Sequence, residues 1–246
     1  MTIGHPIIKF DTLESTNKTA AELLNLSKVQ HGAVILAHEQ TAGRGQRGRS
    51  WLSEPGADLM MSVVLKPARL RADEQFALGK VAALAVAEVV RLLVPGEVRI
   101  KWPNDVLVDR LKIAGILIKN EVVGELVHSS VVGMGINANS HDFPEALVAT
   151  SILLESGRKV ELAVLLDHVC KALDRRWKAY EAGESGLAEE YVDQLWARGR
   201  WAELLLDDRP VMGRPVDVDR HGRLIVELEG GEVAAYGLDR LRFAPR

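Results

Sequence analysis

The sequence predicts an α+β fold, a mixed β-sheet flanked by helices, followed by a small all-β appendage. Three observations carry this. Strand-like and helix-like stretches mix without the regular alternation that builds a parallel α/β sheet. Two long segments space their apolar residues as one face of a helix does. From about residue 198 the chain changes to short alternating runs broken by Gly and Pro, as in a small β-barrel or meander. The expected division is therefore residues 1–197 and residues 198–246.

The elements follow in order. Residues 7–10 read as a short strand, and residues 16–26 as a helix with Ser15 or Thr16 available to cap it. The apolar run 33–38 (AVILAH) is a buried strand, and residues 59–66 form another. Between them TAGRGQRGRSWLSEPGAD is a loop of 18 residues, long enough to point to function. Apolar residues at 78, 81, 82, 85, 89, 92 and 93 mark one face of a helix within 73–94. Residues 98–102, 106–108, 113–119 and 130–134 read as strands joined by short turns. Leu162, Leu165, Leu166, Val169, Leu173, Trp177 and Tyr180 mark a second long helix, and 186–197 a shorter one.

Composition narrows the classes of function. Hydrophobic residues make up 47% and charged residues 26%, ordinary values for a globular chain with a real core. No apolar run approaches the ~20 residues of a membrane helix, and the start lacks the basic and apolar regions of a secretory signal. Cys170 is the only cysteine, which excludes an internal disulfide and fits a reducing cytoplasm. The seven histidines lack ligand spacing, so no zinc site is expected. A net charge of −3 argues against a chain built to grip nucleic acid.

The strongest motif is the run 43–49, GRGQRGR, with three glycines and three arginines in seven residues. Glycines let backbone amides approach a ligand closely, and arginines offer planar forks to carboxylate and phosphate oxygens. Residues 43–48 formally satisfy G-x-G-x-x-G, but RSWLSEPG after them cannot open the helix a dinucleotide fold needs, and no acidic residue ends a strand near 65. No Walker P-loop sequence exists in the chain. A single copy within an acidic chain argues against an arginine–glycine nucleic-acid tail, and a solvated basic loop remains the bland alternative. Lys101-Trp102-Pro103-Asn104-Asp105 is either a plain turn between strands or a bend presenting oxygens to a hydrated magnesium ion or a ribose. Lys112, leading the apolar run 113–117, is either a snorkelling surface residue or a point charge aimed into a site. The run 133–139, GMGINAN, is close packing or a floor for a flat ring, and Glu14-Ser15-Thr16-Asn17 precedes the first helix.

Taken in this order, EST-N, Gln40 with GRGxRGR, KWPND, K-x-AGIL and GxGIN closely resemble the biotin–protein ligase family from about Ser15 to Asn139, and weakly on to Arg242. The resemblance implies a class II tRNA synthetase-like sheet with flanking helices and an SH3-like C-terminal β-barrel. It implies the stand-alone type, without the N-terminal DNA-binding domain of many members, because the motifs begin at residue 15. It further implies a cytoplasmic enzyme that activates biotin with ATP and Mg2+ as biotinyl-AMP, then transfers it to a lysine of a biotin carboxyl carrier protein, a post-translational modification. Nucleic acid and membrane are not expected as partners, and an exposed sheet edge leaves a homodimer open.

By the same resemblance, Ser15, Thr16, Asn17 and Gln40 contact the ureido ring of biotin. Gly43, Arg44, Gly45, Gln46, Trp51, Gly115, Gly133 and Gly135 complete the biotin side. Arg44, Arg47, Arg49, Trp51, Asn104, Asp105, Asn137 and Arg242 serve the adenylate, and Lys112 lies between biotin's carboxylate and the α-phosphate as the catalytic residue. No protein metal ligands are implied. Gln46 departs from the pattern, since the best-known members carry arginine there. Three rivals are weighed. A lipoate–protein ligase shares fold and adenylation logic, but its ligand's dithiolane asks only for apolar walls. A non-catalytic biotin sensor or DNA-binding repressor disagrees with the acidic balance. A degenerate scaffold disagrees with the intact Lys112 and Asn104–Asp105.

Overall fold

The structure is a computed structural model that describes residues 2–144 and 147–244. Its first part holds β1 (Ile7–Leu13), α1 (Thr16–Asn25), β2 (Val34–Gln40), β3 (Leu59–Leu65), α2 (Phe76–Arg91), β4 (Val98–Lys101), β5 (Asp105–Val108), β6 (Leu111–Val123) and β7 (Leu126–Ile136). α3 (Ile152–Ser156), α4 (Leu162–Glu181) and α5 (Leu187–Asp193) follow. The seven strands form one sheet in the order β1-β2-β3-β7-β6-β5-β4. β1 and β2 run parallel and the remaining neighbours antiparallel, so the sheet is mixed, as expected. β3, with the sequence LMMSVVL, is buried at every position and lies mid-sheet, where a strand covered on both faces must be apolar throughout.

The α2 face read from the sequence is buried at Leu78, Val81, Ala82, Ala85 and Val89, but Ala83, Leu84, Val86 and Ala87 are buried as well. α4 and α5 pack on α2 in addition to the sheet, so it is covered on more than one face. Leu92, expected on the buried face, lies beyond the helix end and is 76% exposed. α5 is shorter than the expected 186–197. After Asp193 the chain leaves the helix to pair with β4, through Ile100 N–H to the Gln194 carbonyl and Trp196 N–H to the Ile100 carbonyl. The one-turn α3 was not anticipated; Ser151 caps it by accepting from Leu154 N–H, and Gly157, in the left-handed region, closes it. Arg176 of α4 ties the helices together by bonding Glu88 of α2 and Glu190 of α5. Among the described residues no helix is long and apolar enough to cross a membrane.

Residues 202–243 form a second, five-stranded antiparallel sheet from β8 (Ala202–Leu206), β9 (Arg209–Val218), β10 (Leu224–Leu228), β11 (Val233–Tyr236) and β12 (Leu241–Phe243). Its order is β11-β10-β9-β8-β12, and among the described residues no pairing joins the outer strands into a closed barrel. The turn between β9 and β10 docks on the first part of the chain. The Gly222 carbonyl accepts from the buried Trp102 indole N–H at 2.9 Å, and Gly222 lies so near Phe76 that an added Cβ would meet the ring at 2.3 Å.

One buried carboxylate braces the turn after β7. Asp58 accepts from Ala138 N–H at 2.8 Å, Ser140 N–H at 3.3 Å and the Ser140 hydroxyl at 2.6 Å. Burial pushes its carboxyl above the ordinary range, outweighing these bonds. A group whose folded pKa is raised stabilises the fold most below its unfolded value, and that contribution is lost as pH rises through the folded value. Asp58→Asn keeps an oxygen for the two amides and gives an N–H to the Ser140 oxygen, while removing the charge. The variant should be the more stable near pH 7, by on the order of 1 kcal/mol. The gap should close as pH falls toward the ordinary carboxylate range, which urea unfolding at several pH values will measure.

Candidate active site

A cavity of about 410 Å3 opens over the face formed by β6, β7 and the end of β3, under the segment between β2 and β3. Its floor depends on missing side chains. Gly115 of β6 pairs with Gly135 of β7, and the Trp51 indole rests on both: a Cβ at Gly135 would meet the indole at 2.5 Å, and one at Gly115 at 2.8 Å. Gly133 leaves room for Asn17, whose Oδ1 would lie 2.2 Å from a Cβ there. The ring that rests on the glycine floor is thus the chain's own. Its Nε1 is buried and among the described residues has no hydrogen-bond acceptor.

At one end of the cavity sit Ser15, Thr16 and Asn17, at the start of α1, with Gln40 at the end of β2. The expected Ser15 or Thr16 side-chain cap is absent. Gln40 takes the cap instead, its Oε1 accepting from Thr16 N–H at 2.8 Å. That bond leaves both side-chain hydroxyls of Ser15 and Thr16 available for other work. Beneath them Ser62, fully buried, bonds Thr16 Oγ1 at 2.7 Å and Asn17 Oδ1 at 2.6 Å. The sequence reading missed Ser62, although a serine within LMMSVVL was the available signal.

At the other end Lys112 Nζ lies 2.6 Å from Asp105 Oδ1 and 5.3 Å from the Trp51 ring centroid, a cation–π contact. The main chain of Lys112 is held on both sides, by Val148 and Thr150 in the backbone and by the Asn137 amide, which donates to the Thr150 and Lys112 carbonyls. Asn104 is pinned in the same way: its Nδ2 donates to the Ile116 carbonyl and its own carbonyl accepts from Ile116 N–H. Its side-chain oxygen is what remains to face the cavity. Arg242, on β12, reaches the same wall and pairs with Asp208 at 2.6 Å.

The segment 41–58 is ordered into a small excursion rather than an irregular loop. Arg44 and Ser50 form an isolated bridge around a 3-10 turn at Gln46–Gly48, and Trp51 N–H bonds the Gly43 carbonyl. Arg47, with φ of 55°, occupies the left-handed region. Arg44, Gly45, Gln46, Arg47 and Arg49 line the cavity, and Arg44 also pairs with Glu14 at 3.1 Å. Lys18 and Arg44 together hold the Glu14 carboxyl below its ordinary range. Gly43 alone of the expected site residues does not line the cavity; it packs behind Trp51, where a Cβ would strike the Trp51 carbonyl oxygen at 2.5 Å.

Charge is one-sided here. Arginines 44, 47, 49, 110 and 242 and lysines 101 and 112 line the cavity against a single carboxylate, Asp105, among the described residues. Arg110, on the turn between β5 and β6, and the aliphatic cover from Leu147 to Ala149 were not foreseen, because neither belongs to a recognisable motif. One end therefore offers neutral hydrogen-bonding groups and the other a strongly positive wall, with Lys112 and Trp51 between. Such a site suits a ligand with an uncharged polar ring and an anion beside it. Among the described residues no three His, Cys, Asp or Glu side chains group to hold a metal.

Comparison with known proteins agrees with this chemistry. The model of the biotin/lipoate A/B protein ligase family matches residues 9–137. The biotin–[acetyl-CoA-carboxylase] ligase of Paracoccus denitrificans is 38% identical over 220 residues, covering 85% of this chain and 87% of that one. The bifunctional ligase/repressor BirA of Bacillus subtilis is 32% identical over 96% of this chain and 74% of its own length. Among solved structures, the biotin protein ligase of Aquifex aeolicus in complex with biotin and ATP superposes with a TM-score of 0.78 at 26% identity, covering 98% of this chain and all of that one. With a family model spanning more than half its length and relatives matched over nearly all of it, the chain belongs to the biotin/lipoate A/B protein ligase family.

Proposed function

We propose that this protein is an ATP-dependent biotin–protein ligase, which forms biotinyl-5'-AMP and passes the biotinyl group to a lysine of a biotin carboxyl carrier protein. The observation that carries the reading is the position of Lys112, its ammonium between the arginine-bearing segment and the turn at Asn104–Asp105. In the first step a carboxylate oxygen of biotin attacks the α-phosphorus of ATP and pyrophosphate leaves. Both partners are anions, so their approach is opposed until positive charge is placed between them. Lys112 supplies that charge, and Arg44, Arg47 and Arg49 supply more from above. The nucleophile is already ionised and needs no base. In the second step the carrier's amine attacks the acyl carbon and AMP departs.

The neutral end, with Ser15, Thr16, Asn17 and Gln40, takes the ureido ring, and the glycine floor at 115, 133 and 135 lets the Trp51 indole and the Asn17 side chain lie close to the sheet. Arg47, Arg49, Asn104, Asp105, Asn137 and Arg242 take the adenylate, with Trp51 as the aromatic cover between the halves. Among the described residues the lining holds one carboxylate, Asp105, and it is already paired with Lys112. A magnesium ion would arrive on the nucleotide's phosphates rather than on protein ligands. The family description includes lipoate ligases. The clustered hydroxyls and amides at the neutral end favour biotin, since a dithiolane would leave them without partners.

The decisive assay incubates the enzyme with ATP, magnesium and either biotin or lipoate, and looks for the acyl-adenylate by mass. Biotinyl-AMP alone is expected, and lipoyl-AMP alone would overturn the reading. Lys112→Ala should lower biotin-dependent ATP–pyrophosphate exchange by about 100-fold or more with the circular dichroism spectrum unchanged; wild-type exchange in that variant refutes its role. Gln46 lines the cavity without a charge, so it holds an anionic intermediate less firmly than arginine would. Gln46→Arg should therefore slow release of biotinyl-AMP from acceptor-free enzyme, and an unchanged release rate disproves the idea.

A further inference from the structure

The buried contacts beneath α1 set a direction for protons, and that direction selects a ligand. Ser62 does not line the cavity, whereas Thr16 does. Asn17 Nδ2 donates to the Leu117 carbonyl at 2.9 Å, which turns the amide so that its oxygen faces Ser62 at 2.6 Å. An amide oxygen only accepts. Were Ser62 to send its one proton elsewhere, two oxygens at 2.6 Å would meet lone pair to lone pair. The Ser62 proton therefore goes to Asn17. Ser62 Oγ, 2.7 Å from Thr16 Oγ1, can then only accept from Thr16. The Thr16 proton is drawn inward, and what Thr16 keeps for the cavity is a lone pair.

Gln40 carries the opposite polarity. Its Oε1 is engaged by Thr16 N–H at 2.8 Å, so its Nε2 protons are what it has left to offer. The end of the cavity thus sets an acceptor at Thr16 and a donor at Gln40, the complement of a ring N–H beside a carbonyl. We infer that Ser62 is a specificity-setting positioning residue: without touching substrate it holds Thr16 as an obligate acceptor, so that the site selects a cyclic urea over a ring bearing oxygen or sulfur at that place. The inference rests on the biotin reading above and deepens it.

The test uses biotin and its two cyclic carbamates, each with one ureido N–H replaced by oxygen, in titrations against wild type, Thr16→Val and Ser62→Ala. Wild type should bind one carbamate about 100-fold more weakly than biotin, since an acceptor would then face an acceptor. Thr16→Val, which cannot hydrogen-bond, should bind biotin more weakly and lose most of that discrimination, which marks the carbamate whose oxygen faces Thr16. Ser62→Ala frees the Thr16 hydroxyl to turn and donate, so the same discrimination should fall by about 10-fold. The KM for biotin should rise while kcat and the KM for ATP stay within about 2-fold.

If Thr16→Val acts as stated but Ser62→Ala keeps the wild-type ratio, or weakens both ligands alike, the inference is wrong and the biotin reading stands. If Thr16→Val leaves the affinity for biotin untouched, the ring is not at this end of the cavity, and the placement of biotin falls together with the inference. Should Ser62→Ala not fold, Ser62→Thr, which keeps the hydroxyl, and Ser62→Cys, a weaker donor of similar size, carry the same comparison. Retained discrimination in the first and reduced discrimination in the second are expected, and equal ratios in both would overturn the inference.

Discussion

The site depends on how closely other groups can approach two strands. Gly115 and Gly135 face each other across β6 and β7, and because neither carries a side chain an indole can lie directly on the sheet. Placing Trp51 there fixes the segment between β2 and β3 over the cavity. It also brings the arginines of that segment to the same space as Lys112, whose ammonium lies over the indole. Any larger residue in either strand would lift the ring and part the two groups of cations. The close approach is thus the geometric condition for the electrostatic one.

Secondary structure and motifs were legible because both are written locally. A serine, threonine and asparagine ahead of an apolar helix, a glycine–arginine run, and a lysine leading a core strand can each be recognised in a few residues. All the residues so singled out except Gly43 and Gly48 line one cavity, although sequence neighbours had no need to meet in space. The mixed sheet was legible for the same reason: short apolar runs without intervening helices cannot build an all-parallel sheet.

What escaped is what depends on distant partners. α2 reads as one-faced because spacing cannot reveal that α4 and α5 will also pack against it. Leu92 reads as buried because its spacing continues the pattern after the helix has stopped. The strand-like pairing of 194–196 with β4 depends on β4 being an outer strand. Gln40 as the cap of α1, Asp58 as the brace of the turn after β7, and Ser62 as the link between Thr16 and Asn17 all act across intervals of 24 to 82 residues. A polar residue inside an apolar run is the trace such a partner leaves in a sequence, and it says that a bond exists without saying to what.

The docking of the β9–β10 turn ties the last fifth of the chain to the cavity wall that carries Asn104 and Asp105. Trp102, in the loop that presents Asn104 and Asp105, donates its indole N–H to the Gly222 carbonyl, and the same glycine lies against the Phe76 ring. Detaching the tail sheet would take the acceptor from the Trp102 indole and bare an aromatic face to water, both unfavourable. Tail and body should therefore melt together as one cooperative unit, with the Asn104–Asp105 wall of the cavity the first region to feel any loosening between them.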